Sequence, residues 1–419
     1  MNIKSIQINN LFHTFNHNII LNKDINLIMG ENGVGKTVSL KLIDAIFNKN
    51  YEFLAETDFQ SITINFGREK WKITKDISLD DDYINKICIS SNRKDAEPFI
   101  IDSSMIYPRL PSYVEKFDDD NWINKRTRVI YNREHLADRY PPLPLNTVPE
   151  WMKNQLDNNH VKLINTQRLY LRETNRGSKD GLAVDIYSDE LKLIMQEEMT
   201  KASLTTADLD RTFPKRLVKL LKAHKKFSLD DILKELKNLE KKRGELSEAG
   251  LLTTKESETI DADDLDERDK TMLAVMYQYI KDSKEKLHKY DKLYNKVSLL
   301  CQIIDAHFKR KVLKVDSYRG FVVYPKIDGE IIKTSTIPLR KLSSGEQNEL
   351  VLFYELLFKC DDKDLILIDE PEISLHIEWL QSMIDDFKSI VKESGSSLLI
   401  ATHSPDFVGD NYELVQNLD

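Results

Sequence analysis

Apolar residues in the first 80 positions follow two different patterns. The continuous apolar run Ile25–Met29 is typical of a buried strand, and Val38–Phe47 has the three- and four-residue spacing of an amphipathic helix. Two alternating segments, Ser61–Phe66 and Trp71–Thr74, lie on either side of Gly67. Alternation on both sides of a glycine predicts a β-hairpin. This part of the chain is therefore expected to be rich in strands, with one helix after residue 37.

The pattern becomes polar and irregular between about residues 80 and 150. This stretch contains the acidic run Asp118–Asp120 and a cluster of three prolines within residues 141–144. Such composition predicts loops and short helices on the surface of the same domain. A regular pattern returns at Val161–Arg168, an apolar strand that ends in polar residues.

Two runs of apolar residues at three- and four-residue steps indicate helices between about residues 185 and 310. They extend over residues 229–246 and 273–304. Between them, Ser247–Asp263 is rich in small and acidic residues and is expected to form a turn. The spacing is that of a coiled coil, which predicts an antiparallel helical hairpin. Two core helices of a globular helical domain are the alternative.

Strand patterns resume after the helical region. Lys311–Val315 and Phe321–Tyr324 are expected to be strands, and Leu365–Ile368 and Leu398–Thr402 have the apolar character of buried parallel strands. The order of these elements predicts an α/β fold that is interrupted by a helical insertion. The expected segments are 1–184 for the first part of the α/β domain, 185–310 for the insertion and 311–419 for the second part of the α/β domain.

Bulk properties exclude several classes of protein. The 419 residues carry a formal charge of −8, which argues against a globally basic nucleic-acid-binding protein but leaves a local basic patch open. Three cysteines far apart indicate neither a disulfide framework nor a zinc site. Residues Met1–Ile8 alternate like a strand rather than a signal peptide, and there is no apolar stretch of membrane-spanning length. We therefore expect a soluble cytoplasmic protein without contact to a membrane.

The segment Gly30–Thr37 fits the phosphate-loop pattern G-x-x-x-x-G-K-[ST]. A strand, a glycine-rich turn and a helix in this order direct backbone N–H groups and the positive end of the helix dipole at an anion. Lys36 would contact the β- and γ-phosphates, and the Thr37 hydroxyl would bind Mg²⁺. The sequence thus predicts a site for ATP and Mg²⁺. The expected nucleotide-binding residues of this loop are Gly30, Glu31, Asn32, Gly33, Val34, Gly35, Lys36 and Thr37.

Two carboxylates follow the strand at Leu365–Ile368. Asp369 is expected to hold Mg²⁺ through water, and Glu370 is expected to polarise the water that attacks the γ-phosphate. Phosphoryl transfer requires mainly positioning and neutralisation of charge, which these two residues would supply beside a phosphate loop. Together they predict hydrolysis as well as binding.

A third motif, Leu342–Gln347, precedes a helix expected over Asn348–Lys359. Leu-Ser-Ser-Gly-Glu-Gln resembles the signature motif of ABC-type ATPases, in the form found in SMC-, RecF- and OLD-like proteins. The resemblance implies that the signature of one subunit completes the nucleotide site of another. It therefore implies a head-to-tail homodimer at least, or a larger ring built from such dimers. The signature residues expected to bind ATP are Ser343, Ser344, Gly345 and Glu346.

Further residues match the same families. His403, after the strand at Leu398–Thr402, resembles the switch histidine that contacts the γ-phosphate, and Gln167 resembles the Q-loop glutamine that joins the Mg²⁺ shell. Asp369–His376 is similar to the OLD/RecF-like branch. The resemblance covers about residues 1–75, 160–172 and 335–419, and it implies an ABC-type head split by the helical insertion. The implied catalytic residues are Lys36, Glu370 and His403, and the implied metal ligands are Thr37, Gln167 and Asp369.

The combined motifs look most like the stand-alone ATPase subunits of two-gene anti-phage systems, with PARIS first and Septu next. That resemblance implies a scaffold or sensor that controls a separately encoded nuclease and responds to a phage protein. No nuclease motif is recognisable, no Toprim domain is expected after the 14 residues that follow Pro405, and no zinc hook is expected without C-x-x-C. Two alternatives stay open: a RecF-like DNA-repair ATPase, and a structural scaffold clamped by ATP. The basic run Lys215–Lys226 would supply a DNA-facing surface, although solvated helix faces often look the same.

Overall fold

The computed structural model divides into two compact units. The first comprises Met1–Thr166, Cys360–Ile373 and Leu380–Asp419, and the second comprises Gln167–Lys359 and Ser374–Trp379. The predicted segment boundaries near residues 185 and 310 stay a prediction. The structure describes residues 2–21, 23–77, 84–106, 110–117, 121–132, 139, 148–171, 181–223, 227–252, 265 and 269–418.

Three predicted features lie outside the described residues. They are the acidic run Asp118–Asp120, the prolines within residues 141–144 and most of the turn predicted at Ser247–Asp263.

Strands in the described chain form several sheets. In chain order they are β1 (Ser5–Leu11), β2 (Phe15–Ile20), β3 (Ile25–Met29), β4 (Ser61–Asn65), β5 (Lys70–Ile77), β6 (Ile84–Ser91), β7 (Phe99–Asp102), β8 (Val114–Lys116), β9 (Asn121–Asn124), β10 (Ile130–Asn132), β11 (Val161–Ile164), β12 (Tyr170–Leu171), β13 (Gly181–Leu182), β14 (Lys311–Asp316), β15 (Gly320–Ile327), β16 (Glu330–Ile331), β17 (Leu365–Asp369), β18 (Ser397–Thr402) and β19 (Val415–Asn417).

Helices of the described chain are concentrated in the second unit. In chain order they are α1 (Lys36–Phe47), α2 (Tyr51–Glu56), α3 (Ser103–Ile106), α4 (Glu150–Asn158), α5 (Ala183–Lys222), α6 (Leu229–Glu248), α7 (Lys270–His288), α8 (Asp291–His307), α9 (Ser344–Tyr354), α10 (Ile377–Ser394) and α11 (Pro405–Val408). A π-helical turn, Glu355–Lys359, follows α9.

The first unit contains a parallel sheet with the strand order β11-β17-β18-β3-β19. All its neighbouring pairs are parallel. The predicted strands at Ile25–Met29 and Leu365–Ile368 are thus confirmed as β3 and β17, and β17 is buried along its whole length. Helix α1 packs against β11, β17 and β18. Because parallel strands present their carboxyl ends at one edge, the residues that follow them collect there.

A second sheet of the first unit is antiparallel, with the order β2-β1-β4-β5-β6-β7. The predicted hairpin around Gly67 is confirmed as β4 and β5. The prediction of only loops and short helices between residues 80 and 150 is wrong for the five strands β6 to β10, of which β6 and β7 belong to this sheet. The side chains of Ile87, Ile89, Phe99 and Ile101 are buried in the same core as Trp71. Their alternation was obscured by the polar residues between the strands.

In the second unit, α5, α6 and α7 pack together, with α7 in contact with both of the others. The ion pairs Lys286–Asp210 and Arg216–Asp282 show that α7 runs antiparallel to α5. Helix α6 contacts α7 through Glu235 with Lys284 and through Arg243 with Tyr279, and it contacts α8 through Lys242 with Asp291. Because the two pairs with α7 run in opposite senses along the chain, while the pair with α8 reverses that order, these contacts assign no single direction to α6.

The predicted helical insertion is thus present, and the antiparallel pairing of the two apolar runs stays a prediction. The second run is also divided at Lys289 and Tyr290 into α7 and α8. Gly250, expected in an outer turn, has a positive φ of 73°, and an added Cβ would lie 2.3 Å from the carbonyl oxygen of Val315. The end of α6 thus lies against the β14–β15 sheet.

Candidate functional site

The phosphate loop connects β3 to α1 in the first unit. Gly33 and Gly35 both have φ near 91°, a backbone conformation that side chains disfavour. A Cβ on Gly35 would also lie 2.8 Å from the Leu11 side chain. The Lys36 ammonium donates to the carbonyl oxygens of Gly30 at 2.7 Å and Glu31 at 3.0 Å. The lysine therefore closes the loop on itself, with its charge at the place where a phosphate would be cradled.

Asp369 links three elements at the carboxyl edge of the parallel sheet. Its Oδ1 accepts a hydrogen bond from Thr37 Oγ1 at 2.9 Å, and its Oδ2 accepts one from Thr166 Oγ1 at 2.7 Å. Asp369 is only 4% exposed. Hydroxyl and carboxylate oxygens are the donors that Mg²⁺ prefers, so Thr37 and Asp369 fit this ion.

Thr166 was not singled out from the sequence. It follows β11, which pairs with β17 so that Ile164 lies opposite Ile368. The residues just after these two strands therefore lie side by side. The polar end of the predicted Val161–Arg168 strand was the signal that could have identified Thr166.

Glu370 and His403 lie close to each other, and another acidic residue, Glu372, lies beside them. The Nδ1 atom of His403 lies 3.5 Å from Glu370 Oε1 and 3.3 Å from Glu372 Oε1. Glu370 has a φ of 45°, and its N–H donates to the Ala401 carbonyl oxygen at 2.9 Å. A positive φ is unusual for a residue with a side chain and often marks a functional position.

A cavity of about 470 Å³ opens next to these residues. It is lined by the phosphate-loop residues Gly30, Glu31 and Asn32, by His403, and by Met29 and Asn417. Asn417 was not predicted as a site residue. Asn417 lies at the cavity because β19 pairs with β3, with Asn417 opposite Met29. The structure thus brings the phosphate loop, Asp369, Glu370 and His403 together within the first unit.

A buried histidine contacts the helix that follows the phosphate loop. His17 is 2% exposed, and its Nδ1 lies 2.9 Å from Ser39 Oγ of α1. Burial lowers the pKa of His17 below the ordinary value of 6.5, and the backbone of Val34 partly offsets this shift. No pattern in the sequence distinguishes His17 from a surface histidine of β2.

The remaining predicted residues belong to the second unit. Ser343 caps α9: its Oγ accepts from the Glu346 N–H at 3.3 Å, and Glu346 Oε2 accepts from the Ser343 N–H at 2.8 Å. The helix therefore begins at Ser344, four residues before the predicted start. Lys311 also donates to Glu346, at 2.7 Å. Gln167 is exposed.

Gly345 is tightly enclosed within the second unit. An added Cβ would lie 2.5 Å from the Ser374 carbonyl oxygen and 3.5 Å from the Trp379 ring. Ser344 is exposed beside it. The roles of Gln167 and of Ser343 to Glu346 in nucleotide binding stay predictions.

None of the helices in the described chain is long and apolar enough to cross a membrane. Among the described residues there is also no group of three or more histidine, cysteine, aspartate or glutamate side chains arranged to hold a metal ion.

Comparison with known proteins identifies a family. The family model AAA_15, described as an AAA ATPase domain, matches residues 1–408. The chain is 29% identical over 116 residues to the probable ABC transporter ATP-binding protein PEB1C of Campylobacter jejuni, covering 27% of this chain and 46% of that protein. UvrABC system protein A of Chlamydia trachomatis is 29% identical over 121 residues, covering 25% of this chain and 7% of that protein. The chain thus spans less than half the length of these curated relatives.

The family match and the parallel sheet confirm the predicted fold class at the level of an α/β ATPase head with an inserted helical region. The ABC-type relative is similar to the chain over part of its length. Among solved structures, the Smc head domain with an extended coiled coil, bound to the C-terminal domain of ScpA and derived from Pyrococcus furiosus, covers 97% of this chain and 90% of its own. That likeness has 12% identity and a TM-score of 0.33.

Proposed function

The chain belongs to the AAA_15 family of AAA ATPase domains, and from that premise we propose that it binds ATP with Mg²⁺ and hydrolyses it at the phosphate loop. The observation that supports the proposal is the pair of hydrogen bonds that Asp369 accepts from Thr37, the last residue of the phosphate loop, and from Thr166, which follows β11. An acidic residue beside the phosphate loop is what a nucleotide-bound metal requires.

Each residue of the first unit then has a role. Backbone N–H groups of Gly33 to Lys36 cradle the phosphates, and Lys36 exchanges its two carbonyl partners for phosphate oxygens. Thr37 and Asp369 hold the Mg²⁺. When bound, this ion neutralises charge on the phosphates. Glu370 orients and deprotonates the attacking water, and His403 contacts the γ-phosphate.

Binding and hydrolysis can be tested with purified protein. We expect stoichiometric binding of a fluorescent ATP analogue and Mg²⁺-dependent release of phosphate. Lys36→Ala should lose both, because its ammonium is the cation of the motif. Lys41→Ala, on the same helix, is the matched control. Wild-type binding and turnover by Lys36→Ala would contradict the assignment of the site.

We further propose that the ATPase is at least a dimer. Ser344 and Gly345 stand at the start of α9, where free N–H groups favour an anion. In the ABC-type ATPases that the motif resembles, the corresponding helix end contacts the ATP of a second subunit. Two-fold head-to-tail pairing then completes two sites at once, and larger rings can be built from such dimers.

For its role in the cell, we propose that the chain is a scaffold or sensor in an anti-phage complex. In that complex it holds and controls a separately encoded nuclease. The support is the motif resemblance to the ATPase subunits of PARIS and Septu. A nuclease should co-purify with the chain from its native host, and a phage protein should release or activate it. The purified chain alone should leave DNA and RNA intact with ATP and Mg²⁺ or Mn²⁺. Cleavage that disappears in Lys36→Ala would contradict an effector in trans.

A RecF-like DNA-binding ATPase is the second candidate, favoured by one feature of α5. Lys215, Lys219 and Lys222 are exposed near its end, and no acidic residue lies between Arg211 and Lys222. Arg216, by contrast, is engaged by Asp282. Binding of duplex DNA that weakens with salt and disappears in a triple Lys→Gln variant would support this candidate. Unchanged binding by that variant would contradict it.

A further inference from the structure

Glu372 is a nearly buried carboxylate whose two oxygens have different surroundings. Its Oε1 accepts a hydrogen bond from Thr402 Oγ1 at 2.6 Å and one from the His403 N–H at 3.1 Å. Its Oε2 is buried and has no hydrogen-bond partner among the described residues. Leaving a buried carboxylate oxygen unpaired costs stability. The side chain of Glu372 therefore keeps the hydrogen bonds to Oε1 even though Oε2 is left without solvent.

The contacts of Oε1 hold the segment that carries His403. Thr402 is the last residue of β18 and is fully buried. Its hydroxyl oxygen also accepts from the Ser404 N–H at 3.1 Å. Glu372 therefore fixes the backbone on both sides of the point where His403 leaves the sheet.

The same oxygen also lies 3.3 Å from His403 Nδ1, whereas Glu370 Oε1 lies 3.5 Å from it. A carboxylate next to one ring nitrogen favours the proton on that nitrogen and thereby fixes the tautomer. The other nitrogen, Nε2, is then left for the cavity that His403 lines together with Gly30, Glu31 and Asn32.

We propose that Glu372 is a positioning residue that keeps a proton on His403 Nδ1 and directs the unprotonated Nε2 toward the triphosphate side of the site, where a water can donate one hydrogen bond to Nε2 and the other to a phosphate oxygen. The role of Glu372 in hydrolysis rests on the proposed ATPase function, but the protonation of His403 can be measured without ATP.

The direct test is NMR of protein labelled with ¹⁵N-histidine, at about pH 8, where a solvent-exposed histidine is neutral. The chain has 9 histidines, and His403→Asn assigns the signals of interest. In the wild type we expect a protonated Nδ1. In Glu372→Gln, which keeps the size but removes the charge, Nδ1 should be unprotonated and Nε2 protonated. Thr402→Val leaves the charge in place and should retain the proton on Nδ1.

An unprotonated Nδ1 in the wild type overturns the proposal, and this measurement needs no variant. An equal change in Glu372→Gln and Thr402→Val also overturns it, because loss of order would then be the cause. In steady-state hydrolysis, Glu372→Gln should lower kcat about tenfold with KM for ATP changed less than about twofold. A higher KM with unchanged kcat contradicts the role. Absence of hydrolysis in the wild type contradicts the proposed function instead and leaves the NMR result decisive.

Discussion

At the scale of single residues, the site depends on a few side chains held in costly conformations or surroundings. Glu370 adopts a positive φ, and its N–H is fixed by the carbonyl of Ala401. Glu372 keeps one buried oxygen without a hydrogen bond among the described residues. Strain of this kind persists where the surrounding structure over-determines the conformation, and it gathers at functional sites.

His17 makes folding stability depend on pH. Because burial lowers its pKa below 6.5, the folded state binds fewer protons at this ring than the unfolded state does in mildly acidic solution. The free energy of unfolding should therefore fall as the pH drops through about 6.5 toward the lowered pKa. We expect the wild type to lose more stability than His17→Gln between about pH 7.5 and 5.5, as measured by urea unfolding. Equal losses in both proteins would show that His17 is not the group responsible.

Site residues that belong to a sequence motif could be predicted from the sequence. Residues that reach the site only through the three-dimensional fold could not. Lys36, Thr37, Asp369, Glu370 and His403 follow strands or glycine turns with recognisable spacing, and the structure brings them together in one unit. Thr166, Asn417 and His17 become part of the same region only through strand pairing and burial. The local sequence around each contains no chemistry-specific pattern.

At the scale of elements, apolar spacing predicted helices but did not assign their neighbours. A seam of apolar residues every three or four positions shows which face of a helix is buried. It is equally compatible with a parallel and an antiparallel neighbour. The packing of α5 against α7 therefore became visible only from the ion pairs between these two helices.

Crosslinking of cysteines can test the contact between α6 and α8. With the native cysteines replaced by alanine, Lys242→Cys with Asp291→Cys should react readily with a short bifunctional maleimide, because these positions form an ion pair of 2.8 Å. Lys242→Cys with Asp269→Cys is the comparison, since an antiparallel hairpin with its turn near residue 255 would place those positions together. Preferential crosslinking of the second pair would refute the contact between α6 and α8.

At the scale of the whole molecule, the proposed dimer predicts complementation between two inactive variants. Lys36→Ala disables the phosphate loop, and Ser344→Arg blocks the exposed start of α9. In a mixed dimer, one of the two sites contains both intact parts. With random exchange, half of the dimers are mixed, so equal mixtures should recover about a quarter of wild-type hydrolysis.

Ser344→Ala serves as the control for Ser344→Arg, since it removes the hydroxyl without adding bulk. Exchange of subunits is followed independently with two affinity tags. Mixtures that exchange fully and recover no hydrolysis would mean that each head works alone. The signature would then be a capped helix start with no role at a shared site.

The most direct test of the account is the fate of ATP in Glu370→Gln. The substitution keeps the size of the side chain but removes the carboxylate that activates water, whereas Lys36 and the phosphate loop are unchanged. We expect Glu370→Gln to bind ATP with wild-type affinity and to hydrolyse it about 100-fold more slowly or worse. Protein isolated after incubation with labelled ATP should therefore carry ATP, while the wild type carries ADP or is empty. Turnover by Glu370→Gln at the wild-type rate would contradict the proposed catalytic site.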